Sequence, residues 1–210
     1  GTPAAGSAGT WPVTISATNA TAPDATQNFT LTVVRQNQTI SFAGPASQAF
    51  AATPVALIAS ASSSLSVSFA SSTPAVCGVS GSSATLFTAG TCTITASQSG
   101  NGTYNAAADV TRSFTLSPVA PGAPAIGTAT PGNGQATVGF SAPTFNGGTP
   151  VTGYTVTCNP GARTGSGSTS PITVSGMTNG TPYDCSAMAT NAVGPGLASA
   201  PVAVTPTSAP

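Results

Sequence analysis

Catalysis at neutral pH needs side chains that move protons, attack carbon or phosphorus, or hold a metal, and this sequence offers few. Its carboxylates are Asp24, Asp109 and Asp184, its cations are Arg35, Arg112 and Arg163, and it has no His. General acid–base work draws on His, Glu, Lys or paired carboxylates, and glycoside hydrolysis needs two carboxyl groups roughly 5 to 9.5 Å apart. Each Asp here lies in a different part of the chain: Asp24 in the turn-like run APDAT, Asp109 just before a strand, Asp184 directly after Tyr183 within one. Such an isolated Asp reads as a turn or surface residue. Ser and Thr abound, but a serine nucleophile needs a base, and there is neither a G-x-S-x-G elbow nor a His to complete a triad. The Gly-rich run NPGARTGSGSTS from Asn159 lacks the order of a phosphate-binding loop and leads into no helix. It reads as a mobile hairpin connection, with Arg163 a solubilising residue or a contact. No D-x-D-x-D-G run suggests calcium. The expectation is no catalytic residue, no cofactor and no metal.

The remaining reactive groups are four cysteines, Cys77, Cys92, Cys158 and Cys185. A zinc site wants four nitrogen or sulfur ligands, and the chain has no His and no C-x-x-C. Their even number suggests disulfides, for which three connectivities exist. Trp11 could stack on a sugar, but its alternation with Val13 and Ile15 points to a core position instead. Asn-x-Thr triplets begin at Asn19, Asn28, Asn37, Asn101 and Asn179. All are chemically competent for N-glycosylation, although several will arise by chance in so Thr-rich a chain.

Charged residues make up 3% of the sequence, where an ordinary soluble domain carries about 25%. A nucleic-acid binder needs several Lys or Arg to neutralise phosphates, and an anionic membrane surface attracts similar basic clusters. Neither is expected as a partner. No uninterrupted apolar run reaches the roughly 18 residues of a membrane span, and no basic-then-apolar secretion signal opens at Gly1. Any such signal is expected to lie outside these residues.

What must position these side chains is legible in the polarity pattern. Apolar and polar residues alternate in short runs broken by Gly, Pro and Asn, which is the pattern of strands with one buried and one wet face. The first runs are Trp11 to Ala17 and Asn28 to Val34. Candidates then follow at Thr39 to Phe42, Val55 to Ala61, Leu65 to Ser71, Val76 to Ser80, Ala84 to Thr88, Thr91 to Gln98 and Arg112 to Leu116, dense enough for a sandwich. The Pro-rich stretch SPVAPGAPA from Ser117 reads as an extended, fairly stiff spacer. The fold class is all-β, a tandem array of sandwiches, with units expected at 1–36, 37–118 and 119–210.

The opening segment, GTPAAGSAGTWPVTISATNATAPDATQNFTLTVV, resembles the closing strands of the putative-Ig family of bacterial surface proteins. That resemblance implies an incomplete first unit, begun in mid-domain. Its missing strands would be supplied by a longer chain or by another copy. The runs QTISFAGPASQAF, SVSFASSTPAVCGVSG and ATLFTAGTCTITASQSGNGTYNAA resemble a bacterial Ig-like repeat. The last unit, carried by NGGTPVTGYTVTC and GMTNGTPYDCSAMATNAVGPG, resembles a fibronectin type III domain. By that resemblance Tyr183 occupies the tyrosine corner, whose hydroxyl bonds to nearby backbone. Met177 replaces a usual Leu, Phe140 stands where Trp is typical, and no Arg-Gly-Asp follows the penultimate strand.

One cystine per unit, Cys77 with Cys92 and Cys158 with Cys185, is favoured over bridges across the Pro-rich spacer. The resemblance places Cys158 and Cys185 on neighbouring strands of one sheet, a staple that ordinary fibronectin domains lack. Disulfides imply an extracellular or cell-surface location. The function expected is a non-catalytic structural module of a bacterial surface or filament protein: a stalk, matrix component or fibre subunit able to assemble through strand pairing. The alternatives are an adhesin segment and a spacer of a secreted polysaccharide-degrading enzyme. Partners would be neighbouring domains of the same chain, identical subunits, or a surface glycan or protein ligand.

Overall fold

The computed structural model describes residues 3–208, and every regular element in it is a β-strand. The first unit is a hairpin of β1 (Gly9–Ala17) and β2 (Ala25–Val33), antiparallel and in register along its whole length, from Gly9 opposite Val33 to Ala17 opposite Ala25. Among the described residues no third strand joins it.

The second unit contains β3 (Ile40–Phe42), β4 (Gln48–Ala49), β5 (Val55–Ala56), β6 (Ala59–Ala61), β7 (Ser68–Ser71), β8 (Cys77–Ser80), β9 (Ser83–Leu86), β10 (Gly90–Ser97) and β11 (Val110–Ser117). One sheet runs β4-β11-β10-β7; β5-β9-β8 and the pair β3-β6 make up the rest. Two details differ from the sequence expectation. The run Val55 to Ala61 is split into β5 and β6, because Leu57 turns inward at the break and leaves Ile58 exposed. The short strand β4 follows Pro45 and pairs in parallel with the end of β11, a pairing too brief to leave a pattern.

The third unit pairs a β12-β13-β16 sheet with a β15-β14-β17-β18 sheet, where β19 also pairs with β17. Its strands are β12 (Ala125–Gly132), β13 (Gln135–Ser141), β14 (Val151–Asn159), β15 (Arg163–Gly167), β16 (Ile172–Ser175), β17 (Tyr183–Asn191), β18 (Pro195–Ala198) and β19 (Val202–Val204). The run after Asn159 is therefore not a loose connection. Only 160–162 turn, and Arg163–Gly167 is a strand paired with Tyr154–Cys158. Its Gly and Ser residues disguised it, yet Gly165 packs so near the Thr173 carbonyl and Ile172 that a Cβ would not fit.

Each sandwich encloses its own core. On β10, Cys92, Ile94 and Ala96 point inward while Thr91, Thr93 and Thr95 face out. With Phe42, Phe50, Leu57, Leu86, Phe114 and Leu116 they form the second unit's core. On β17, Tyr183, Cys185, Ala187 and Ala189 are buried, the first three in one core with Val138, Val156, Ile172 and Val174. Each such aliphatic or aromatic side chain contributes roughly 1.5–3 kcal/mol on burial.

The outward rows have a chemistry of their own. Thr93 meets Ser113 at 2.8 Å, Thr95 meets Thr111 at 3.0 Å, and Thr137 meets Thr173 at 3.0 Å, hydroxyl to hydroxyl across adjacent strands. Cross-strand Thr pairs of this kind each add a few tenths to about 1 kcal/mol. They do for this surface what charge pairs do elsewhere.

Two cystines close the cores. Cys77–Cys92 links β8 to β10, joining strands of different sheets across a loop of 15 residues. Cys158–Cys185 joins directly opposed residues of β14 and β17, with Cα atoms 4.0 Å apart and a sequence separation of 27. Closing loops of this length stabilises by about 3 kcal/mol on the chain-entropy account. Replacing Cys158 and Cys185 together by Ala is expected to cost the third unit about that much. Urea denaturation checks it, and a loss under about 1 kcal/mol would mean that packing alone holds β14 to β17.

Candidate functional site

The groups able to do chemistry are dispersed. Asp24 lies in the β1–β2 turn, Asp109 precedes β11, and Asp184 sits on β17 opposite Asn159 and Ala203. All three are exposed. Among the described residues no three His, Cys, Asp or Glu side chains gather where they could share a metal ion.

Tyr183 is buried, and its hydroxyl oxygen accepts the Thr178 N–H at 3.0 Å. That bond holds its phenol below the usual tyrosine pKa. Met177 is buried beside it, and Phe140 is half-buried with its ring 4.8 Å from that of Tyr154. The five Asn-x-Thr asparagines are all exposed, but their side chains are differently occupied. Asn179 is committed at both ends, accepting from Gly134 N and donating to Asn133. At Asn19, Asn28, Asn37 and Asn101 only the carbonyl end is engaged, leaving the nitrogen that carries a sugar open.

Two buried amides escaped the sequence reading. Asn191, 4% exposed, donates to the carbonyls of Val119 and Asn146 at 2.7 and 2.9 Å and accepts the Val193 N–H at 2.9 Å. Gln38, 6% exposed, donates to Gln98 and to the Asn105 carbonyl, both at 2.7 Å, and accepts from Ser63. Both lie in stretches of polar sequence where nothing marks one amide as buried.

The most unusual surface is on the hairpin. Trp11, Val13 and Ile15 of β1 share a face with Leu31 and Phe29 of β2, Trp11 lying opposite Leu31 and Val13 opposite Phe29. In a complete sandwich this face would be core; here Trp11 is 52% exposed and Ile15 58%. The expectation of a buried Trp11 is thus corrected: the alternation is real, but among the described residues no second sheet covers it. The opposite face is polar, with Thr14 donating to Asn28 at 2.7 Å. The hairpin is tied to the second unit by Gln36, which bonds Thr103 O and Asn105 N at 2.8 Å each, and by Gly6 N on Thr103 Oγ1 at 2.9 Å.

Residues 120–205, which span the third unit, match the family model described as Fibronectin type III domain. No curated protein matches the chain. Among solved structures, a human fourth FNIII domain is similar at 20% identity, covering 46% of this chain and 87% of that one, with a TM-score of 0.39. A multi-domain titin structure is similar at 17% identity over 95% of this chain and 75% of that one, TM-score 0.40. The FN1–FN3 domains of chicken CNTN1 are similar at 14% identity over 58% and 42%, TM-score 0.39.

Tyr183→Phe removes the acceptor of the Thr178 amide. It is expected to speed hydrogen exchange at that amide and to lower the melting temperature of the chain, and unchanged exchange would show that water replaces the hydroxyl.

Proposed function

We propose that this chain is a non-catalytic structural segment of a bacterial extracellular surface or filament protein, a stalk, matrix or fibre element whose first unit is completed by strands from outside it. The observation that carries this reading is the uncovered apolar face of the β1–β2 hairpin. Large apolar patches bounded by polar residues mark interaction sites, and a two-stranded hairpin is marginal in water by itself.

The geometry indicates what would complete it. Both outer edges of the hairpin present backbone N–H and C=O groups that no other strand among the described residues pairs, which is the arrangement that strand addition exploits. A partner sheet laid on Trp11, Val13, Ile15, Phe29 and Leu31 would rebuild a sandwich. The partner's chemistry would be apolar and uncharged, because no charged side chain lies on that face. Low net charge favours such association, since nothing repels like copies. Two cystines support an oxidising, extracellular setting.

The single Trp makes the reading testable in solution. Sedimentation at rising concentration is expected to show self-association, accompanied by a blue shift and loss of acrylamide quenching of Trp11 as its ring becomes buried. Leu31→Ser, on the same face, is expected to abolish both changes. A chain that stays monomeric at high concentration, with Trp11 freely quenched, would contradict assembly through this face.

A further inference from the structure

The junction of the second and third units is built in a way that the proposed function does not require. The sequence places a Pro-rich spacer there, yet the contacts that matter come from a distant loop, residues 142–150 between β13 and β14. Phe145 from that loop leaves its own sandwich and packs on the core of the second unit. Its ring stacks on that of Phe50, centroids 5.7 Å apart and planes within 9° of parallel. Phe50 is itself 6% exposed and fixed by a 2.8 Å bond from its N–H to Ser117 O at the end of β11.

Hydrogen bonds lock the same point. The Gly148 carbonyl accepts twice from the second unit, from Ala89 N at 2.9 Å and Thr88 Oγ1 at 2.8 Å. The spacer is clasped in turn: Val119 N donates to Gly147 O at 2.9 Å and Gly122 N to Phe145 O at 2.8 Å. Asn191 fastens the spacer to the loop by donating to both Val119 O and Asn146 O.

The two glycines are required at this point. Gly147 and Gly148 have φ of +78° and +82°, where other residues are strained. A Cβ on Gly148 would stand 2.7 Å from the Phe50 ring and 2.9 Å from Ala89 N, and one on Gly147 would collide with Val119 O. The junction thus combines ring stacking, carbonyl bonds and backbone approach that only glycine permits.

We infer that the second and third units form one rigid body, with Phe145 and the Gly148 carbonyl acting as a plug that fixes their mutual orientation. The Pro-rich spacer then does not act as a hinge. Junctions between domains in one chain are ordinarily expected to permit relative motion, so this is a specific property of the chain. It holds whether or not the chain assembles, because it concerns units joined covalently.

Residual dipolar couplings on the full chain test it. Alignment tensors fitted separately to the strands of the second and third units are expected to coincide, and the units to share one rotational correlation time. Phe145→Ser and, separately, Gly148→Ala are expected to split the tensors, while chemical shifts on β10 and β17 stay native-like. Val34→Ser, at an exposed position beside Gly102 and Thr103 where the hairpin meets the second unit, is expected to leave the tensors coincident. Tensors that already differ in the unmodified chain would overturn the inference, and so would coincidence that survives both junction variants.

Discussion

With three basic and three acidic residues in 210, this chain has almost no electrostatics to call on, and every part of its structure has to do without. Apolar burial must supply the stability, and neutral hydrogen bonds must satisfy what burial leaves behind. The two cystines answer the first demand by sealing each core with a crosslink whose sulfurs are themselves fully buried. The Ser and Thr rows answer the second. Placed on the outer faces, their hydroxyls pair across strands and present water with polar groups of no net charge. The buried amides Gln38 and Asn191 extend the same economy inward, and among the described residues no buried side-chain polar atom lacks a partner.

The same constraint shapes the junctions. Domains with charged surfaces can be kept apart or oriented by salt-sensitive forces, whereas here contact must be made by shape. The Phe50–Phe145 stack and the doubly accepting Gly148 carbonyl are contacts of that kind. They should be largely indifferent to salt, because screening acts on exposed charges and none takes part. The hairpin face follows the same logic: it is apolar, and no charged side chain lies on it.

How much of this was legible in the sequence depended on how far each signal reached. Strand alternation is local, so β10 and β14 stand out, with Thr alternating against Cys, Ile, Ala, Tyr and Val, and so does β17, with Tyr, Cys and Ala at alternate positions. The face bearing Trp11, Val13 and Ile15 was equally visible, but whether anything covers it depends on a second sheet, and the alternation is silent on that. β15 was missed because Gly and Ser at 165–168 mimic a loop, while its pairing depends on Tyr154–Cys158 and its tight approach on Ile172. The junction was the least legible part. Phe145, Gly147 and Gly148 read as an ordinary turn, and their partners Phe50, Thr88 and Ala89 lie more than 50 residues earlier.

We propose an extended array of net-neutral, cystine-closed sandwiches that serves by its form. Electron microscopy of native material shed by the producing cell tests it most directly. Regular fibres or thin beaded rods are expected, with an axial repeat matching a small whole number of sandwiches. Compact particles with no repeat, in which this segment merely joins globular bodies, would contradict it.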